Sequence, residues 1–321
     1  MSLRYKVLWV DDRIDEFISL NFNKELKDYI DASFFESEID MCESAEEAKA
    51  KLREKKYDVI FSDYNMSEEK GDSFIQDIRS QNINCEILFY SAQEEPPLVQ
   101  ADRISFLRLQ SNRAYNELMN KIKSVIDLSL EKINDLTSIR GLVMAEVSDL
   151  DNKMLDIIEY FFKDGSDEKR RDFDKHIVKD VEKTTKQNLA KDECLKLLNE
   201  SSKKKIESTP CKHKWRDIPI NEIIHKKNFE SVQKAKTVQL IIEKLEFSYF
   251  PKKNNFYEDY FNDIIENRNE LAHCSSFIES GIEILKTKDG ERKFSKEDFT
   301  LIRSSIIKYN TIFDKLIELV K

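Results

Sequence analysis

The 321-residue chain is short of the residues that mark special architectures, with five Gly, five Pro and five Cys. So little glycine and proline excludes collagen-like and low-complexity chains, and 40% hydrophobic with 36% charged residues fits a helix-rich globular protein. The cysteines (Cys42, Cys85, Cys194, Cys211 and Cys274) are scattered, odd in number and form no C-x-x-C pair. That pattern points to reduced thiols, and Cys211 and His213 with His225 offer too few ligands for a zinc site. No apolar run approaches the roughly 18 residues of a membrane span. The opening MSLRYKVLWVDD meets acids after four apolar residues, so no secretory leader is expected and the cytoplasm is the expected compartment.

What is present divides into two parts. At roughly 150 residues per domain the length suggests two domains. Residues 1–130 carry 17 Lys and Arg against 26 Asp and Glu, whereas 131–321 hold 36 of each, so the whole net charge of −9 belongs to the first part. Within the neutral part, 202–236 holds ten basic residues against four acidic ones, with Trp215 and Phe229 interleaved. This stretch suits either a polyanion or a solvated helical surface.

From residue 5 to 127, short apolar runs (YKVLWV, FFESEIDM, YDVIFS, EILFY, ISFLRL) alternate with helix-like segments starting near Asp15, Ser44, Gly71 and Arg113. The alternation implies βα units and a parallel sheet. Ser44 followed by Glu47 has the form of a capping box. Asp11 and Asp12 directly follow the first strand and Asp63 the third, at the carboxyl ends where open α/β sheets form their ligand crevice. Three carboxylates gathered there repel one another unless a hard, oxygen-seeking cation such as Mg²⁺ sits among them. Asp12 and Asp63 suit direct ligation, Asp11 ligation through water, and the Asn65 carbonyl completes the set. An aspartate beside that ion is placed to attack a phosphoryl donor. Taken singly, each acid reads better as a turn former that merely ends its strand.

VLWVDDR, then FSDYNMSEEKG with Gly71 eight residues after Asp63, then FYSAQ ending in the region of Ser91, resembles the receiver domain of bacterial response regulators over about residues 4–127. The resemblance implies a flavodoxin-like, doubly wound, five-stranded parallel α/β sheet, with a sensor histidine kinase or other phosphodonor as partner. It makes Asp63 the phospho-acceptor, places Mg²⁺ among Asp11, Asp12, Asp63 and Asn65, and makes Ser91 and Phe106 the switch residues. Met66 matches the family pattern, whereas Ser67 replaces its usual proline. The family also places a lysine after the fifth strand, and ISFLRLQSNR contains none. Arg108 and Arg113 are the nearby cations, and a planar guanidinium is not equivalent to a lysine. The receiver is therefore either phosphorylatable or a degenerate docking surface.

From Arg113 to about Phe162 there is no proline, so the region reads as one long helix or two nearly collinear ones. Leu150, Met154, Ile157, Ile158, Phe161 and Phe162 form an apolar stripe. Further helices are expected at about 168–200, 229–249, 256–278 and 296–320, with a small β-hairpin turning at Asp289-Gly290. In FNDIIENRNELAHC, ideal helical spacing puts Arg268 in the stripe of Ile264, Ile265, Leu271, Ala272 and Ser275, and a buried guanidinium needs a partner. Asn269 and His273 share another face, and His273 points about 140° from Arg268.

Arg-Asn-x-Leu-x-His in a helical domain resembles the HEPN superfamily, many of whose members are metal-independent RNA endonucleases acting as dimers. The resemblance implies that Arg268 polarises a scissile phosphate, His273 acts as acid or base and Asn269 orients them, with RNA reached through 203–216 and 268–273. A noncatalytic binding or dimerisation module is the alternative. The expected organisation is a receiver over 1–128, a helical linker over 129–145 and an all-α HEPN-like domain over 146–321. The expected whole is a homodimer with no membrane segment.

Overall fold

YKVLWV is apolar on both faces of an extended chain, which only a strand covered on both sides tolerates. In a computed structural model, which describes residues 3–66, 70–92, 102–110, 114–133, 135–194, 218–247, 255–279, 282–287 and 290–321, this run is β1 (Arg4–Val10). It pairs in parallel with β2 (Glu36–Cys42) and with β3 (Val59–Asp63), which continues to β4 (Glu86–Ser91) and β5 (Ile104–Arg108). The order β2-β1-β3-β4-β5 is the flavodoxin-like doubly wound arrangement. Its direction reverses between β1 and β3, the two strands that end in Asp11, Asp12 and Asp63. Every residue of β3 and β4 is buried, while the edge strand β5 is half-covered and ends exposed at Arg108.

The helix expected from Asp15 forms as two, α1 (Ile14–Ser19) and α2 (Phe22–Asp31), because Asn21 takes a left-handed φ of 60°, which asparagine accepts more readily than most residues. On α2, Phe22, Leu26 and Ile30 repeat every four residues and are buried. Ser44 Oγ accepts the Glu47 N–H at 3.2 Å and so caps α3 (Ala45–Glu54). After α4 (Gly71–Ser80) and α5 (Ala114–Ile133), a new helix, α6, runs over Leu136–Phe161. The two-helix reading of 113–162 is the one that forms. Asp135 starts α6, its side chain accepting from the Ser138 N–H at 3.0 Å and its carbonyl from the Ile139 N–H at 3.0 Å.

The chain forms two units, Met1–Leu142 with Phe294–Arg303, and Val143–Lys293 with Ser304–Lys321. The second is mainly helical. It contains the larger part of α6, then α7 (Asp167–Phe173), a π-turn at Asp174–Val178, α8 (Lys179–Cys194), the single turn α9 (Ile220–Ile223) and α10 (Ser231–Lys244). A second π-turn, Phe261–Glu266, joins α11 (Phe256–Tyr260) to α12 (Asn267–His273), and α13 (Lys296–Val320) is the last helix. Leu150, Met154, Ile157, Ile158, Phe161 and Phe162 are all buried. The helix expected to reach 278 stops at His273. Ser275–Glu279 forms β6, antiparallel to β7 (Ile282–Thr287), which pairs with β8 (Gly290–Lys293) in the expected hairpin, whose Asp289 lies outside the described residues. Ser275 and Ser276 compete with helical backbone bonds, and Phe277-Ile278 favours a pleated strand. Among the described residues no helix is long and apolar enough to cross a membrane.

Candidate phosphorylation site

The ends of β1 and β3 bring one carboxylate oxygen each from Asp11, Asp12 and Asp63 within 4.8 Å of one another. Asp11 and Asp63 are buried and Asp12 is exposed. Asp11 is gripped at both oxygens. The Arg13 N–H donates to Oδ1 at 2.8 Å and the Tyr90 hydroxyl to Oδ2 at 2.5 Å. Tyr90, wholly buried, accepts in turn from Trp9 Nε1 at 2.8 Å. Asp63 Oδ1 accepts the Asn65 N–H at 3.1 Å.

Burial raises the Asp11 pKa above the usual carboxylate value, although the Tyr90 and Arg13 hydrogen bonds oppose the shift. Burial likewise raises Asp63, with the Asn65 N–H opposing and the negative charges of Asp11 and Asp12 adding to the rise. Buried oxygen donors whose mutual repulsion is incompletely offset fit a hard divalent cation, so the donor set suits Mg²⁺.

Beside the acids, Asn65 Nδ2 donates to Ser91 Oγ at 2.6 Å, which ties the β3 and β4 rims together. Ser91 is buried, and its carbonyl accepts the Leu109 N–H at 2.8 Å. Phe106 is half-buried and meets the Tyr64 ring edge-on at 5.7 Å. Tyr64 donates its hydroxyl to Asp72 at 2.8 Å and lies against Gly71. A Cβ added to Gly71 would stand 2.4 Å from Tyr64 Cδ2, so a side chain there forces the ring to move. Met66 is buried; Ser67 lies outside the described residues.

Between β5 and α5 the described residues are Leu109 and Gln110, and Arg113 lies outside them. Arg108 is the register partner of Ser91. Arg13 went unnoticed in the sequence, although it stands directly after Asp12. Burial lowers its pKa, yet Asp11, Glu16, Asp63 and Asp12 together raise it further. Tyr90 and Trp9 were also missed, being 79 and 81 residues from the groups they bond.

Residues 7–103 match the family model of the response regulator receiver domain. The first unit therefore contains a receiver domain, and the chain's sequence and sheet order agree on its fold. Among solved structures the chain is similar to the response regulator TrrA of Thermotoga maritima in complex with Mg(2+)-BeF, at 22% identity over 38% of this chain and 98% of that one, with a TM-score of 0.29. It is similar also to the chemotaxis protein CheY4 of Vibrio cholerae, at 25% identity over 38% and 98%, TM-score 0.30. A two component transcriptional regulator AraC from Clostridium phytofermentans aligns at 21% identity over 40% and 96%, TM-score 0.32. No curated protein matches the chain.

In the second unit, Arg268 is half-buried on α12, donating to Ser231 Oγ at 3.0 Å and Asn269 Oδ1 at 3.1 Å. Ser231 donates onward to Asp151 Oδ2 at 2.6 Å, and Lys234 Nζ stands 3.7 Å from the same oxygen. Ile264, Ile265 and Leu271 are buried as expected. Ala272 and His273 are exposed, and Ser275 has left the helix for β6. The structure does not bring His273 to Arg268. His225 pairs with Glu159 at 3.0 Å, and 203–216 lies outside the described residues.

Proposed function

We propose that the chain is a response-regulator-like signalling protein whose receiver accepts a phosphoryl group on Asp63 from a sensor histidine kinase or another phosphodonor. The convergence of Asp11, Asp12 and Asp63 at the reversal point of the sheet carries this reading. Mg²⁺ would be held by Asp12, Asp63 and the Asn65 carbonyl, with Asp11 acting through water, and supplies positive charge against the phosphoryl oxygens and the nucleophile. With Oδ1 held by Asn65, Oδ2 of Asp63 is the attacking atom. The Ser91 hydroxyl then donates to the phosphoryl group in exchange for its bond with Asn65, and Phe106 follows the shifted loop. Incubation of the whole protein with acetyl phosphate and Mg²⁺ is expected to add the mass of one phosphoryl group. Persistence of that adduct in Asp63→Asn removes Asp63 as acceptor.

The output reading is a HEPN-like helical unit. It is supported by the Arg268 guanidinium, whose acceptors Ser231 and Asn269 are both uncharged, leaving its charge suited to a phosphate. Since His273 points away on the same helix, joint action on one RNA phosphate requires a second copy of the motif, hence a homodimer. Wild type is expected to cleave total RNA and His273→Ala to lose that cleavage. Equal cleavage by both removes the motif, and none by either favours a noncatalytic partner-binding unit.

A further inference from the structure

We propose that Arg13 is the cationic contact for the phosphoryl group on Asp63, in place of the lysine that the receiver resemblance leads one to expect after β5. The inference rests on Asp63 being the acceptor. Phosphoryl transfer from acetyl phosphate forms an Asp63 Oδ2–P bond and breaks the P–O bond to acetate, which departs with the bonding electron pair. No proton needs to move. A singly charged carboxylate becomes a doubly charged acyl phosphate, so the site gains one negative charge beyond what its cation offset before. A further positive group is required.

Three cations border this rim among the described residues: Arg13, Lys70 and Arg108. The strand places Leu109 where its N–H meets the Ser91 carbonyl, so an apolar side chain occupies the residue after β5. Arg108 stands at the end of the edge strand, and Lys70 bridges to Asn65 by its backbone. Arg13 alone adjoins the acids in sequence and is fastened to them in space, its N–H on Asp11 Oδ1 at 2.8 Å. The charges of both Asp11 and Asp63 act on its guanidinium. A planar fork of donors matches phosphoryl oxygens better than a point charge does.

The test compares Mg²⁺ binding and beryllofluoride binding, followed by tryptophan fluorescence, with the rate of phosphoryl addition measured by intact mass. Arg13→Ala is expected to bind Mg²⁺ at least as tightly as wild type, because a neighbouring cation has been removed. It is expected to bind beryllofluoride about tenfold or more weakly, the worth of one charge-assisted contact, and to phosphorylate more slowly. Arg13→Lys is expected to fall between the two, and Lys70→Ala and Arg108→Ala to match wild type. A parallel loss of Mg²⁺ binding in Arg13→Ala makes the residue merely structural and overturns the proposal, as does a beryllofluoride loss confined to Arg108→Ala or Lys70→Ala. Wild type that takes up neither beryllofluoride nor a phosphoryl group sinks the acceptor reading itself. Wild type and Arg13→Ala that take up both equally sink this inference alone.

Discussion

Tyr90 fixes the orientation of Asp11 at the end of β1. Its hydroxyl joins Trp9 to Asp11 in one buried line of hydrogen bonds. Tyr90→Phe keeps the ring but leaves the Trp9 N–H without an acceptor and Asp11 Oδ2 without a donor, at a cost of about 1–3 kcal/mol. The expected result is a lower urea midpoint, a shifted tryptophan emission and weaker Mg²⁺ binding; an unchanged Mg²⁺ affinity would show that Asp11 needs no such hold. Asp63 gives a second, signed prediction. Its folded pKa lies above the ordinary carboxylate value, so between the two the native state binds more protons than the unfolded state, and this group costs stability as pH rises through that window. In EDTA the stability advantage of Asp63→Asn over wild type is therefore expected to grow from about pH 4 toward neutrality, and added Mg²⁺ to reduce it. Thermal melts at several pH values would reveal a flat difference if the acids do not strain the fold. At Gly71 the close approach of Tyr64 makes Gly71→Ala destabilising by about 1–3 kcal/mol, as overpacking usually is, measurable from the same urea transitions.

Among elements, the parallel strands were the most legible because central strands need unbroken apolar runs, and Val59-Ile60-Phe61 and Ile87-Leu88-Phe89 supply them. The acids were legible for the same reason, since a strand's end fixes where the next residue stands. Helix ends were less so. Asn21 splits α1 from α2 through one φ angle, and Asp135 starts α6 through one capping carboxylate, each a local choice inside a segment whose periodicity continues. The boundary of α12 was misread because β6 exists only through its pairing with β7, which hydropathy along the helix does not encode. Partners far apart in sequence were invisible, and the clearest case joins three helices. Ser231 on α10 accepts from Arg268 on α12 and donates to Asp151 on α6. Ser231→Ala removes that shared hydroxyl and leaves a largely buried carboxylate short of a donor. A loss of about 1–3 kcal/mol in the second unit is expected from chemical denaturation, and a change near zero would show that Lys234 compensates.

The molecule as a whole does not divide at one point along the chain, since Phe294–Arg303 belongs with the first unit although the whole of Val143–Lys293 separates it from Leu142. Arg303 shows why this segment belongs there. It is almost fully buried, its Nε donates to the Ser33 carbonyl at 3.3 Å, and its guanidinium lies 4.8 Å from the centre of the Phe35 ring. Burial pulls its pKa down to about 10, which leaves it charged at neutral pH. Such a side chain does two separable things: its stem and plane cover Phe35, and its donors satisfy a backbone acceptor. Arg303→Met retains most of the covering volume and removes the desolvated charge, so the lost bond and the relieved charge largely offset each other. Arg303→Ala loses cover and bond together, with an expected cost of about 2–4 kcal/mol, in the range of large core truncations. Trp9, buried in the first unit, is the reporter of choice. A urea midpoint that falls in the order wild type, Met, Ala establishes that the first unit depends on residues near the far end of the chain. Equal midpoints for wild type and Arg303→Ala would mean that residues 1–142 sustain that unit without the returning segment.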